Sequence, residues 1–394
     1  MSAAQNKGVD RRAMGVLSSG HLFTDLNQGA VAALLPFLIS ERGLSLAAAG
    51  ALVFAATVSS SLVQPLFGIF SDRTPIPALM PLGVLLAGVG MALVGVAPSY
   101  PLIFASVVVS GIGVAAFHPE AARFANYVSG TRRARGMSFF SVGGNAGFAL
   151  GPLVATPLVL VFGLPGTLFL ALPAALMAGV MFAETARMLR LAPEQTPNGS
   201  REVEARQESW GPFVIMIAVV AVRSFVYFGL VAFVASYYER VHGESAALGN
   251  VALTVMLAAG AVGTLFMGPL ADRFGRKAVL AWSMLAMPPL VLAFAFVGPY
   301  AGMVMLALVG ALTIGTFGVT VVMGQEYLPG RIGLAAGVTM GLSIGLGGVG
   351  APLLGLLADA GGLRTTMLAI AALPVLGFVL ALTLPAKTGA PGGA

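Results

Sequence analysis

The chain has 394 residues, of which 58% are hydrophobic and only 9% charged, and its formal net charge is +6. A soluble domain carries about 25% charged residues, so this composition excludes an ordinary soluble protein and predicts one that crosses a membrane several times. The absence of cysteine excludes disulfides and thiol catalysis. The three histidines lack metal-ligand spacing, and the sequence has no phosphate-binding loop of the nucleotide-binding type. We therefore predict no metal, no cofactor and no enzymatic activity.

Twelve apolar stretches, each long enough to span a bilayer as a helix, follow one another along the chain. Their approximate limits are 13–39, 46–70, 77–97, 100–124, 136–162, 165–184, 210–238, 246–270, 277–297, 300–324, 332–358 and 364–384. The longest polar interval, between Glu184 and Ser209, divides them into two sets of six. We predict an all-α membrane protein with two six-helix halves, 1–185 and 210–394, joined by a linker over 186–209.

Lysine and arginine are distributed unevenly between the predicted loops. With the N-terminus inside, 16 of the 21 lie in cytoplasmic segments, whereas outside loops hold only Arg42, Arg240 and Arg364. Positive residues favour the cytoplasmic side of a membrane. We therefore predict that both termini are cytoplasmic, and the excess positive charge needs no nucleic-acid partner.

A sequence repeat with an offset of 200 residues relates the two predicted halves. Gly68-Ile-Phe-Ser-Asp72-Arg73 recurs as Gly268-Pro-Leu-Ala-Asp272-Arg273, and Pro152 matches Pro352. Two motifs that share one offset favour a repeated six-helix unit over a chance match between glycine-rich helices.

The second copy of this motif continues into Phe-Gly275-Arg276-Lys277. The whole segment resembles the signature loop of the major facilitator superfamily, in which we interpret the charges as part of a cytoplasmic gate. The first copy continues into Thr74-Pro75 instead, so gating there would depend on Asp72 and Arg73 alone. The gate residues predicted in the second copy are Asp272, Arg273 and Arg276. Ordinary positive-inside loop charge is the alternative interpretation.

The fifth stretch contains a glycine-rich segment that resembles the glycine–proline motif of antiporters in the same superfamily. Glycines at helical spacing let helices approach closely, and proline adds a kink. Packing without any implication of antiport is the alternative. The residues of this predicted packing face are Gly143, Gly144, Gly147, Gly151 and Pro152.

The first stretch carries His21 and Asp25, four residues apart and therefore on one helix face. Asp25 lies about 20 Å along the helix from Arg12, deep in the membrane. A carboxylate at this depth can exchange a proton during transport, with the histidine as its neighbour. A structural hydrogen bond and direct contact with the substrate are the alternatives. Asn27 and Gln28, on the same helix, are candidates for the substrate cavity.

The seventh stretch carries Arg223, with Tyr227 one turn further on. A buried arginine needs an anionic partner, which would be either Asp25 at similar depth or an anionic substrate. We assign both residues to the predicted substrate cavity, together with Asn145.

Charged residues also lie at the ends of the fourth and tenth stretches. Glu120 and Glu326 are predicted to act as latches that hold the cytoplasmic gate. His118 would make the first latch sensitive to pH, and Arg123 and Arg331 complete the predicted gate. Simple snorkelling to the membrane surface is the alternative.

Four segments together resemble fosmidomycin-resistance-type transporters, in the same order and spacing. They are His21-Leu-Phe-Thr-Asp25-Leu-Asn27-Gln28, Phe117-His118-Pro119-Glu120, Gly143-Gly144-Asn145-Ala146-Gly147 and Leu328-Pro329-Gly330-Arg331. The resemblance implies a proton-driven efflux pump of the bacterial inner membrane, with drugs or small polar or anionic metabolites as cargo. Better-known drug antiporters have an arginine where this chain has Val107, so their proton-relay role in the fourth span is not transferred.

We therefore expect alternating-access export by a monomer embedded in the lipid bilayer, with protons and a small molecule as its partners. Uptake of a small organic anion by proton symport is the first alternative. A membrane receptor without transport activity is the second, and it would need a soluble domain that the sequence does not show.

Overall fold

The structure is a computed structural model, which describes residues 8–64, 66–67, 76–130, 132–191 and 208–385. Within these ranges the regular secondary structure is helical throughout. The chain divides into two compact units, Met1–Leu44 with Ala55–Ser200 and Ser45–Phe54 with Arg201–Ala394.

The first unit is built from helices α1 to α6. Their bounds are Arg11–Arg42 (α1), Leu46–Ser61 (α2, whose first part belongs to the second unit), Leu79–Val94 (α3), Tyr100–Val128 (α4), Arg133–Phe162 (α5) and, after a 3₁₀ helix at Leu164–Leu170, Ala171–Leu191 (α6). Helix α1 begins after Asp10, whose carboxylate accepts a hydrogen bond from the N–H of Ala13 at 3.0 Å. It ends at Arg42, and the next residue, Gly43, has a φ of 64° that suits glycine.

The second unit is built from helices α7 to α13. Their bounds are Trp210–Arg240 (α7), Ala246–Phe274 (α8), Arg276–Phe294 (α9), Pro299–Gly315 (α10), Phe317–Tyr327 (α11), Ile332–Gly337 (α12) and, after a π-helical turn at Val338–Leu342, Ser343–Thr383 (α13). Gly362 interrupts α13 with a φ of 82°. Only glycine adopts this conformation readily, and the break falls between the predicted stretches 332–358 and 364–384.

Nine helical segments in the described part of the chain are long and apolar enough to cross a membrane, and α2 and α3 are shorter apolar helices. The predicted stretch 46–70 extends beyond the described part of α2, and residue 65 and residues 68–75 lie outside the described residues. The linker predicted at 186–209 also lies largely outside them. The protein is thus a multi-pass helical membrane protein.

The glycine face predicted on α5 packs directly against α1. A Cβ atom added to Gly147 would lie 2.1 Å from the backbone oxygen of Leu22, and one added to Gly143 would lie 2.2 Å from that of Ser18. These distances are shorter than any ordinary contact, so only glycine allows the two helices to approach this closely. The face is therefore a packing surface within the first unit.

Ion pairs between side chains also fasten the beginning of α1 to the end of α6. Arg12 pairs with Glu184, and Arg187 lies 3.0 Å from the Asp10 carboxylate. These contacts and the glycine face together fix α1 against two neighbours, which sets the position of the polar residues in its middle.

Candidate functional site

A cluster of two histidines and one carboxylate lies inside the first unit. The Nε2 atom of His21 is 3.2 Å from Oδ2 of Asp25, and the Nε2 atom of His118 is 3.3 Å from Oδ1 of the same carboxylate. The two Nε2 atoms are 3.1 Å apart. We call these three residues the His–Asp–His cluster.

Three helices position the cluster. His21 and Asp25 lie one turn apart on α1, and His118 comes from α4. The ring of His21 stacks on Phe140 of α5, with 4.2 Å between ring centroids. Gly144 of α5 leaves room for these groups, because a Cβ atom there would lie 2.3 Å from Nε2 of His21 and 2.7 Å from Oδ2 of Asp25. One of the predicted packing glycines therefore serves the cluster itself.

Backbone carbonyl groups fix the orientation of both imidazole rings. Nδ1 of His21 is 2.8 Å from the carbonyl oxygen of Phe140, and Nδ1 of His118 is 2.8 Å from that of Val114. A carbonyl oxygen can only accept, so each Nδ1 carries a hydrogen and donates it. Both Nε2 atoms then face the carboxylate and each other.

This orientation determines what the cluster can bind. Two unprotonated Nε2 atoms at 3.1 Å would direct lone pairs at each other and at an anionic carboxylate. A proton bound on either Nε2 atom removes this repulsion and forms a charge-assisted hydrogen bond. The geometry thus suits a site that gains and loses one proton.

The same three side chains could also hold a metal ion, because their donor atoms all lie within 4.8 Å of one another. Two imidazole nitrogens and a carboxylate are ligands that transition metals accept. The sequence analysis predicts no metal site, since these residues are far apart in the chain.

The position of His118 differs from the one that the sequence analysis assigned. From its place beside Glu120 at the end of the fourth stretch, His118 was predicted to belong to the cytoplasmic gate. Helix α4 continues to Val128, so His118 lies ten residues, about 15 Å, from its end. His21 lies equally far from the start of α1. Counting from the end of α4 and from the start of α1 would have brought the two histidines to one level.

The predicted latch residue Glu120 is fully buried. Its Oε1 atom accepts a hydrogen bond from the N–H of Ile76 at 2.9 Å, and its Oε2 atom is 3.5 Å from the Arg123 guanidinium. The contact with Ile76 connects α4 to the segment before α3. Asp72 and Arg73, the other predicted gate residues of this segment, lie outside the described residues.

The corresponding charges in the second unit form a more exposed pair. Glu326 accepts a hydrogen bond from Arg276 at 2.5 Å, and Asp272 lies 4.0 Å from the same guanidinium. Arg273 lies over the ring of Phe274 instead. In this unit a glutamate at the end of a helix does contact an arginine of the signature loop. Arg331 bonds to Glu208 at 3.1 Å.

Arg223 is the most deeply buried cation of the second unit among the described residues, with 2% of its surface exposed. It donates a hydrogen bond to Thr316 at 3.0 Å and lies 5.7 Å from the centre of the Phe317 ring. Neither contact supplies a negative charge, and no carboxylate in the described part of the second unit forms a salt bridge with it. The site can therefore accept an anion.

The remaining residues predicted for the substrate cavity have less distinctive surroundings. Asn27 is buried and donates to the backbone of its own helix, at 2.8 Å from the carbonyl oxygen of Phe23. Gln28, Asn145 and Tyr227 are half-buried. The structure brings Asn27 and Gln28 onto the helix that carries Asp25, but their contacts do not define a binding site.

Comparisons with known proteins identify the family to which this chain belongs. The family model of the Major Facilitator Superfamily matches residues 17–339 and 242–393. The chain is 35% identical to an uncharacterized MFS-type transporter, YfnC, of Bacillus subtilis (strain 168), covering 93% of this chain and 90% of that one. It is 32% identical to the fosmidomycin resistance protein of Escherichia coli (strain K12), covering 94% and 92%.

Solved structures of two transporters have a fold similar to that of this chain. A bacterial homologue of the human lysosomal transporter Spinster, in an inward-facing and unoccupied conformation, matches with a TM-score of 0.78 at 18% identity, covering 95% of this chain and 97% of that one. The nucleoside transporter NupG matches with a TM-score of 0.74 at 12% identity, covering 94% and 99%.

The chain therefore belongs to the Major Facilitator Superfamily. Its relatives are transporters, which confirms both the predicted family and the prediction that the chain is not an enzyme.

Proposed function

We propose that this protein is a proton-coupled secondary transporter that exports drugs or small polar or anionic metabolites from a bacterial cell. The observation that carries the proposal is the His–Asp–His cluster. It combines a carboxylate with two imidazoles in the middle of membrane-spanning helices, where ionisable groups are costly and usually functional.

Charge balance explains how the cluster couples a proton to transport. With one proton on a histidine Nε2 atom, the imidazolium and the Asp25 carboxylate together are neutral. Without that proton the cluster carries one negative charge among apolar helices, which is unfavourable unless another event compensates for it. Loss of the proton should therefore occur together with a change of conformation or of cargo occupancy. Asp25 and His21 are the proton-coupling residues in this account, and His118 joins them.

Arg223 is the residue that we propose for recognition of anionic cargo in the second unit. It is buried, its described partners are neutral, and its planar guanidinium suits a phosphonate or carboxylate. Asn27, Gln28, Asn145 and Tyr227 are proposed as further residues of the substrate cavity. The fosmidomycin resistance relative supports export and a drug of this chemical type as cargo.

The proposals for topology, oligomeric state and gating are based on the membership of this chain in the superfamily. We propose twelve spans in two halves, with both termini in the cytoplasm of a bacterium and the chain acting as a monomer in the inner membrane. Alternating access would close the cytoplasmic side through two groups of residues. They are Asp72, Arg73, Glu120 and Arg123 in the first half, and Asp272, Arg273, Arg276, Glu326 and Arg331 in the second.

Accumulation of fosmidomycin in an efflux-deficient bacterial strain tests the direction and energy source. Cells that express the protein should accumulate less drug than cells that do not, and a protonophore should abolish the difference. Higher accumulation in expressing cells would contradict export and favour the proton-symport alternative. Lower accumulation that a protonophore does not affect would contradict proton coupling.

A further inference from the structure

A cavity of about 810 Å³ lies in the first unit, where α1 and α5 begin. It is separate from the His–Asp–His cluster, and the proposed transport mechanism does not use it. Three arginines line its mouth, namely Arg11, Arg132 and Arg135.

Among the residues that the structure describes, no acidic one lines this cavity. None of the three arginine side chains forms an ion pair with another described residue, and Arg135 instead lies 5.8 Å from the centre of the Phe139 ring. Asp10, the acid next to Arg11 in sequence, bonds to Arg187 and caps α1. Three guanidinium groups around one cavity repel one another, and a bound anion would remove that repulsion.

The walls beyond the mouth are mainly apolar. The lining includes Met14 and Leu22 of α1 and Phe139, Val142 and Ala146 of α5. Phe139 and Val142 are 50% and 56% exposed, so this wall is not covered by other parts of the first unit.

The cavity therefore has the layout of a groove that runs along α1 and α5. From Arg11 to Leu22, and likewise from Arg135 to Ala146, the lining extends about 16 Å along each helix. Small inorganic anions would fill only the mouth. A molecule with a phosphate group and a long apolar chain would cover both parts.

We propose that this cavity binds an anionic phospholipid, with the headgroup phosphate at Arg11, Arg132 and Arg135 and an acyl chain along the apolar wall. Basic pockets between membrane helices bind phospholipid headgroups by this combination of charge and apolar surface. The site goes beyond the proposed export activity and does not depend on it.

Lipid binding to the full-length protein, purified in detergent, tests this site. Native mass spectrometry or a thermal-shift titration would compare phosphatidylglycerol with phosphatidylcholine. Phosphatidylglycerol should bind at least ten-fold more tightly. The R11Q/R132Q/R135Q variant should lose this preference, at about five-fold in affinity for each arginine removed. Equal binding of phosphatidylglycerol to this variant and to the unaltered protein would overturn the proposal.

Two further variants make the result specific. Arg190→Gln removes an exposed arginine near the end of α6, outside the cavity, and should leave lipid binding unchanged. Val142→Trp fills the apolar groove and keeps every arginine, so it should weaken lipid binding even if the triple variant fails to fold. Tight binding to Val142→Trp would contradict the groove.

A competition experiment separates the lipid from a free phosphate ester. Glycerol 3-phosphate has the same headgroup chemistry without acyl chains, and it should not displace phosphatidylglycerol at equal concentration. Full displacement would show that the site binds a soluble anion and would overturn the lipid assignment. Because these are binding measurements, their failure is distinguishable from the absence of drug export.

Discussion

The first helix of each unit packs against a glycine-rich helix in the same manner, but the polar groups beside the two contacts differ. In the first unit Gly147 of α5 meets Leu22 of α1, and in the second Gly347 of α13 meets Ser224 of α7, where an added Cβ atom would lie 2.3 Å from the serine Cβ. The 200-residue repeat is thus visible in the packing of both units.

The chemistry next to these contacts is not repeated. At the same offset, the positions of Asp25 and His118 are occupied in the second unit by Phe225 and Gly318. The second unit instead has Arg223, with neutral partners. Close helix packing is therefore common to both units, whereas the proposed proton-binding groups belong to one and the candidate anion site to the other.

Replacement of Asp25 should have the largest effect on transport. Asp25→Asn removes the charge that holds a protonated histidine, so export from cells should fall to the level of cells without the protein. Asp25→Glu keeps a carboxylate and should retain part of the activity. Drug accumulation and surface expression would be measured together.

Thr24→Val is the matched control for α1. The Thr24 side chain is buried and bonds only to Gly20 of its own helix, at 2.8 Å, so its loss should leave export nearly unchanged. If Asp25→Asn and Thr24→Val lowered export equally, the effect would reflect helix packing and not proton binding.

His118→Gln should reduce proton-coupled export at least ten-fold, because the cluster loses one of its two Nε2 acceptors. The D25N/H118Q double variant should be no worse than Asp25→Asn alone, since residues that act as one unit are not additive. Additive losses in the double variant would place His118 in a separate function such as the gate.

Arg223→Ala should weaken the export of anionic cargo by roughly ten-fold or more, because a charged hydrogen bond is worth about 1.5–3 kcal/mol. A neutral cargo should be affected less. Initial rates over a concentration series would be compared for the two cargo types. Equal losses for both would indicate that Arg223 has a structural role.

Gly147→Ala and Gly347→Ala should each destabilise the protein, because overpacking costs about 1–3 kcal/mol. Gly179→Ala is the control, since a Cβ atom there meets nothing within 4 Å. Thermal unfolding in detergent should show a lower Tm for the first two variants only. An unchanged Tm for Gly347→Ala would limit the shared packing to the first unit.

The smallest effects are expected at the two predicted latch glutamates, and they should differ. Glu120 is fully buried, whereas 41% of the Glu326 side chain is exposed. Exposed ion pairs contribute only about 0–1 kcal/mol, so Glu326→Gln should change inward-open and outward-open populations little. Glu120→Gln should change them more. Distance measurements between labels near the ends of α4 and α11 would compare the two variants.

The fold can be predicted from the sequence more completely than the site, for a physical reason. Span positions follow from runs of apolar residues, and a packing face on α5 follows from glycines at helical spacing, so both could be predicted locally. That this face packs on α1 is known only from the structure. The contact between His118 and Asp25 depends on where α4 ends, which hydropathy alone does not determine. The arginine-lined cavity also depends on the relative placement of α1 and α5 and is not visible in either segment alone.

Proton movement in proteoliposomes tests the central claim most directly. The purified protein would be reconstituted with a pH-sensitive dye inside the vesicles, and fosmidomycin would be added outside. The account predicts that drug entry drives protons outward, and that Asp25→Asn abolishes this proton flux while Thr24→Val retains it. An undiminished, drug-dependent proton flux in the Asp25→Asn protein would contradict the assignment of proton coupling to the His–Asp–His cluster.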